Sequence, residues 1–456
     1  MKIVIIGGSH AGIACARRCR EEYPEAGVTI IERKEDVSFV SQTIPLFLIE
    51  DEDILNRSHY TTPKELEFEG IQVLIRQEVK TVEVDKKRLT YADVKTDKLE
   101  EIFYDKLVMA TGSYPVLPLI DGIFNETFFL LKNMEDAVAI KKFMHDSNNI
   151  VIVGAGIVGV ELAKIFVENG LHVTLIQRGD RILDRYLDPA VAKAVEDSIR
   201  LQGIDLKLNT QVIDYQTEKA TLFHRSEVIV QTDTGEKIKT NGVVLSVGFR
   251  PNSYLLRNQV KLGDKGAILV DEYMQSTAPD VFAVGDCATT YFSLLDVNRY
   301  SPHASEAIRQ GTIAAINLMG NKQRLPCSLG TYKLNMKGYT VAVTGITQEA
   351  ALEKGYQADA VYFENTNLNR KIFSFMNLVY ERGKHTILGM QVVGNATLES
   401  EYVNTLAIVI EKKLTIEDIE FSDFYFEHGY KDPNGFAKIF ARLAREKERE
   451  LEKIKH

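Results

Sequence analysis

Two stretches of the chain repeat one pattern of apolar and turn-forming positions. In the first, Lys2-Ile-Val-Ile-Ile6 is a β-branched run of the kind that forms a buried parallel strand. Gly7-Gly-Ser-His-Ala-Gly12 turns the chain, residues 11–22 carry helical character, and Val28-Thr-Ile-Ile-Glu32 is a second strand ending in a carboxylate. In the other stretch, residues 150–153 form the strand and Gly154-Ala-Gly-Ile-Val-Gly159 the turn. A helix is predicted over 160–169, closed by Gly170, and a strand over 171–177. A strand, a glycine turn, a helix and a strand-end acid define a dinucleotide-binding βαβ unit. Backbone N–H groups at the helix N-terminus meet a pyrophosphate, and the acid accepts hydrogen bonds from ribose hydroxyls. Ser9 replaces the middle glycine of the first turn, whereas the second keeps all three. The first turn alone leaves open whether its nucleotide is FAD or NAD.

The intervening pattern divides the chain. A loop from Arg33 to Pro45 enters an apolar helix at Leu46, Pro63–Leu66 reads as a helix start, and residues 71–75 as a strand. Alternation through Tyr104 predicts antiparallel hairpins, and residues 106–112 another strand, followed by the punctuating Pro115 and Pro118. Residues 243–248 close the second unit. The chain then returns to the first with a strand over 280–286 and a helix over 305–318, introduced by Ser301-Pro-His303. Beyond Lys322 the pattern changes to alternating strands over 331–344 and 371–393, with helices over 399–412 and 435–455. The expectation is an α/β chain in three domains: 1–118 with 250–321, 119–249, and 322–456. The last helix carries Phe436, Ile439, Phe440, Leu443, Leu451 and Ile454 at helical spacing, which fits packing across a dimer.

Composition narrows the function. Hydrophobic content is 45% with 26% charged residues, and the net charge of −9 argues against a nucleic-acid partner. No run approaches the ~18 apolar residues of a membrane span, and Met1 leads straight into a strand, so a cytoplasmic protein without a leader is expected. The four cysteines, Cys15, Cys19, Cys287 and Cys327, form neither a zinc pattern nor a dithiol motif. Cys15 and Cys19 fit helix packing and Cys287 fits burial. His59, His145, His172, His224 and His385 show no metal spacing, so no metal is expected.

The order GGSHAG with Glu32, Ala110-Thr-Gly112, GAGIVG, Gly248-Phe-Arg-Pro-Asn252 and Ala283-Val-Gly-Asp286 resembles the FAD-dependent pyridine nucleotide–disulfide oxidoreductases. The histidine in the first turn, Ser38-Phe39 with Pro45, and Leu414-Thr-Ile-Glu-Asp418 with Pro433 are similar to the NADH oxidase, NADH peroxidase and coenzyme A-disulfide reductase branch. The resemblance implies two Rossmann-like domains, an α+β dimerisation domain and a homodimer. It assigns FAD to Gly7, Gly8, Ser9, Ala11, Gly12, Glu32, Arg33, Ser41, Val79, Ala110, Thr111, Gly112, Gly285, Asp286, His303 and Ala304. The nicotinamide nucleotide, NADH or NADPH, falls to Gly154, Gly156, Ile157, Gly159, Glu161, Gln177, Arg178 and Gly248. His10 matches the branch's active-site histidine. Tyr430, and with it Tyr362, matches a tyrosine near the partner subunit's site.

One position departs from that pattern. The redox cysteine of the branch lies three residues beyond the Phe of Ser-Phe, and here that residue is Gln42. A thiolate can exchange disulfides or store a sulfenic acid; an amide cannot. Electrons from the flavin would then pass directly to a small acceptor. Dioxygen, giving hydrogen peroxide, is the first expectation. A quinone, a small disulfide or a redox carrier, or a weakly catalytic nucleotide sensor, are the alternatives. Neutral Gln177, followed by Arg178 and Arg181, leans toward the 2′-phosphate of NADPH, although a glutamine also hydrogen-bonds a ribose.

Overall fold

A computed structural model describes residues 1–49, 54, 58–117, 127–218, 227–336, 339–367, 372–395, 397–424 and 435–455. The two repeated patterns form two parallel sheets of five strands each. The first has the order Val281–Ala283, Lys106–Met109, Lys2–Ile6, Gly27–Ile31, Ile71–Leu74. The second runs Asp205–Lys207, His172–Ile176, Asn149–Val153, Val243–Leu245, Phe128–Phe129. In each, the strand before the glycine turn is central, so strand order reverses there and a crevice opens beyond the carboxyl ends. Strands such as Lys2–Ile6 and Val281–Ala283 are buried on both faces, which accounts for the unbroken apolar runs Ile3-Val-Ile-Ile6 and Val281-Phe-Ala283. Each unit also carries a three-stranded antiparallel meander, Gln77–Glu83 to Leu99–Phe103 in one and Val212–Glu218 to Lys237–Thr240 in the other.

The third region is a five-stranded antiparallel sheet with the order Tyr332–Met336, Tyr339–Gly345, Ile387–Gly394, Ile372–Glu381, Ala358–Asn367. Its central strand Ile387–Gly394 is buried along its whole length. Helices Thr397–Glu411 and Gly435–Lys455 pack against this sheet, and helix Pro189–Leu201 of the second unit packs on it as well. Val341, Val343 and Val393 therefore share one apolar core with Val191, Val195 and Ile199. Among the described residues, no helix is long and apolar enough to cross a membrane.

Several element ends differ from the sequence pattern for local reasons. The helix expected over 160–169 spans Ile157–Glu168, because Gly156 takes the extended cap position at φ −75 and ψ −173. The helix expected at Leu46 begins at Ile44 and holds Pro45 in its first turn, where the missing N–H costs no bond. The helix over 305–318 spans Ala304–Asn317 with His303 as its cap residue. Helix Met134–Asp146 went unread, although Asn133 and Asp136 close a capping box at its start. Helix Pro189–Leu201 and edge strand Ala358–Asn367 went unread as well.

The first glycine-turn helix, His10–Glu22, is held by close crossing with Ala304–Asn317. A Cβ on Gly311 would lie 2.2 Å from the carbonyl oxygen of Ala11. Gly311→Ala is therefore expected to destabilise the protein by about 1–3 kcal/mol, as overpacked cores do, measured as a lowered denaturation midpoint.

Candidate active site

The two glycine turns are the same device used twice. Gly7 has φ +114, and a Cβ there would stand 2.2 Å from the Ala110 carbonyl oxygen; Gly154 has φ +104 and would stand 2.3 Å from that of Ser246. Only glycine lets the turn lie this close to the neighbouring strand, so both turns stay low and leave the crevice above them open. Gly12 and Gly159 face inward: a Cβ on either would come within 1.9 Å of the carbonyl of Gly7 or Gly154.

The strand-end residues reach back to these turns. Glu32 Oε2 accepts the Gly8 N–H at 2.7 Å, and its Oε1 accepts the Lys34 N–H at 2.9 Å. In the second unit Gln177 Oε1 accepts the Ala155 N–H at 3.1 Å. The carboxylate of Asp286 accepts the Ser113 hydroxyl at 2.7 Å and lies 3.3 Å from Lys132 Nζ, which also donates to Ser113 Oγ at 2.8 Å. Lys132 in turn sits over the Phe249 ring at 4.7 Å. It is a cation on a segment without a motif, and no local pattern marks it.

One cavity of about 1890 Å³ joins both crevices. Of the expected nucleotide-binding residues, all but Gly12 and Gly159 line it, and those two face the backbone instead. His10 lies on its wall as well. Gln42 belongs to the turn Ser41–Thr43, beside the lining residues Ser41 and Ile44. Tyr430, His224 and the side chain of Gln42 lie outside the described residues. Tyr362 is on the third sheet, stacked with Phe375 at 5.8 Å, and does not line the cavity.

The wall carries unusual titrating groups. His10 stacks on Tyr60 at 5.7 Å with planes 8° apart, and its buried Nδ1 has no partner among the described residues. Burial lowers its pKa against the opposing pull of Asp286, so its imidazole is neutral near pH 7. Tyr60 was not singled out by the sequence. Its backbone is held by Ser38, whose Oγ accepts the N–H groups of Tyr60 and Thr61 at 3.2 and 3.1 Å and donates to the Thr61 carbonyl at 2.6 Å. Farther along, His303 packs on Tyr332 at 5.3 Å and Tyr186 at 6.3 Å, and burial lowers its pKa too. Glu161 lines the same region, and burial pushes its carboxyl up to about 7. Tyr332 comes from the third sheet, so elements of all three sheets contribute to the wall.

Two such glycine turns, a strand-end carboxylate and an acid–lysine pair define a flavin- and nicotinamide-dependent oxidoreductase. The family model described as pyridine nucleotide-disulphide oxidoreductase matches residues 1–311, and that of the family's dimerisation domain matches residues 335–428. The chain belongs to this pyridine nucleotide–disulphide oxidoreductase family. It is similar to an NADH oxidase of Enterococcus faecalis, 34% identical over 452 residues, covering 98% of this chain and 100% of that one. Among solved structures, it resembles the water-forming NADH oxidase of Lactobacillus brevis bound to NADH, with a TM-score of 0.91, 31% identity and 98% of each chain covered. An engineered water-forming NADPH oxidase made from that enzyme and bound to NADPH matches with a TM-score of 0.91, 31% identity, and coverage of 98% and 99%.

The Glu161 carboxyl gives a prediction with a definite sign. Between its ordinary value and about 7 the folded state holds a proton that the unfolded state releases, so this group lowers stability as pH rises through that window. Glu161 borders a water-accessible cavity, which reduces the effect. Glu161→Gln should raise stability by about 1–3 kcal/mol at pH 8 and by much less at pH 5, read from urea midpoints at the two values.

Proposed function

We propose that the protein is an FAD-dependent NAD(P)H oxidase that passes two electrons to dioxygen and releases hydrogen peroxide. The reaction consumes NAD(P)H, a proton and O2 and yields NAD(P)+ and H2O2. What carries the reading is sulfur chemistry: none of the four cysteines is among the residues lining the cavity. Cys15 and Cys19 are buried in helix His10–Glu22 with sulfurs 4.0 Å apart. Cys287 is buried, donates its thiol to the Met109 and Val284 carbonyls at 3.3 Å, and has its pKa raised by burial. Such thiols are poor nucleophiles. Cys327 belongs to the third domain. With Gln42 at the turn, nothing described on the wall can form the sulfenic acid that a second reduction of peroxide to water would use.

FAD, when bound, would supply the two-electron relay between the nicotinamide and the acceptor. Glu32 and Asp286, with the Gly7–Gly12 turn, would hold it. The N-terminus of helix Ala304–Asn317 turns free N–H groups toward the cavity, which favours negative charge there. In this reading neutral His10 lies on the wall beside the oxygen species as a hydrogen-bonding group, and the proton the reaction consumes comes from solvent. Glu161 borders the nicotinamide position, and the third domain makes the enzyme a homodimer. Nucleotide choice is open at this level. The engineered NADPH oxidase differs from its parent by five substitutions, including an aspartate changed to alanine and the next residue changed from alanine to arginine. This chain has neutral Gln177 followed by Arg178.

In an oxygen electrode with NADPH or NADH, catalase added at the end of the reaction should return about half of the oxygen consumed, the stoichiometry expected of a two-electron product. No oxygen return would mean water formation and would overturn the proposal. Gln42→Cys should lower the returned fraction.

A further inference from the structure

We propose that Lys141 of the second unit is a positioning residue for the acceptor side of the flavin, acting through helix Ile44–Ile49 and the Ser41–Thr43 turn at its head. This rests on the oxidase reading, in which that turn borders the acceptor. The segment belongs to the first unit by sequence and to the second by packing. Ile44, Phe47 and Leu48 are buried, and none of them joins the apolar core of the first unit. They share a core with Ala137, Ile140 and Met144 of helix Met134–Asp146. The short helix also touches helix Ile157–Glu168, which opens at the second glycine turn. Upstream the chain is tied the other way. The Ser38 N–H donates to the Gly8 carbonyl in the first glycine turn at 2.8 Å, and the Val40 N–H donates to the Ser58 carbonyl at 2.8 Å. Ser41–Thr43 therefore spans the seam between the units, and Ser41, Ile44 and Pro45 line the cavity there.

A helix of six residues has little stability of its own, so tertiary contacts decide where it sits. Lys141 supplies the directional one. Its Nζ donates to the Phe47 carbonyl at 2.7 Å and stands over the Phe47 ring at 4.3 Å. One ammonium thus meets a carbonyl that lacks an intrahelical partner, at the negative end of the helix, and the ring face of the same residue. Helix Ile44–Ile49 carries no basic residue in its own last turn, so the cation comes from the other unit. At the head of the helix, the Thr43 N–H and hydroxyl both donate to the Val40 carbonyl, at 3.0 and 2.7 Å, and the Ile44 N–H donates to the Ser41 carbonyl. Turn and helix are one continuous hydrogen-bonded piece, and the height of the turn in the cavity follows the seat of the helix. Lys142, next to Lys141 on the same helix, is exposed.

The test reads how close the turn comes to the flavin. In the flavin-loaded Gln42→Cys protein, a thiolate on the turn beside the oxidised ring gives a long-wavelength charge-transfer band, followed up to about pH 9, where a thiol of ordinary pKa is largely ionised. Adding Lys141→Met should lower that band about threefold or more, since a shift of about an ångström is enough to break a geometry-dependent contact. Lys141→Arg, which keeps a cation over the ring, should retain the band, and Lys142→Met should leave it unchanged. A merely stabilising role would lower the urea midpoint of Lys141→Met and leave the band as it was, and that result would overturn the proposal. An equal loss in Lys142→Met would overturn it too, as would absence of the band in Gln42→Cys alone, because the turn would then not border the flavin. The band does not depend on the oxygen product: a band that responds to Lys141 in a protein releasing no peroxide would sink the oxidase reading alone.

Discussion

The arrangement depends on how closely a turn can approach the strand beside it. At Gly7 and at Gly154 the chain runs against a neighbouring carbonyl with no room for a side chain. That contact sets the height of each turn, the direction of the helix behind it and the floor of each crevice. A methyl group there would press on that carbonyl, lift the turn and tilt the helix behind it. The rest of the site, from Glu32 to Asp286, is arranged around these two points.

Each unit then adds its own chemistry to the same floor. In the first, the strand end is an acid held by backbone N–H groups, and an acid–lysine–serine cluster sits across the crevice. In the second, the strand end is an amide, followed by an arginine-rich loop. The backbone is duplicated; its electrostatics are not. Between them lie groups that burial keeps uncharged near neutrality, His10 and His303.

Much of this was legible in the sequence. The βαβ units announce themselves because their chemistry depends on local spacing: glycines at fixed offsets and a residue at the end of the next strand. The residues that escaped reading are those brought in from a distance. Lys132 reaches Asp286 across 154 positions, Tyr60 reaches His10 through a loop pinned by Ser38, and Tyr332 arrives from a different sheet. No periodicity marks such residues, because their placement is decided by tertiary packing. Helix Pro189–Leu201 escaped for a related reason: one of its faces serves the third sheet, and only the assembled structure shows why it is apolar there.

The junction at Asp188 bears on which parts of the molecule can move. A carboxylate that is 1% exposed and takes three hydrogen-bonding side-chain or backbone partners from the third domain is expensive to pull apart, since separation would strand polar groups inside an apolar interface. The second unit and the third sheet, which also share one core, are therefore held together at this junction by polar groups as well as by apolar packing. Separating them there would cost both kinds of contact at once.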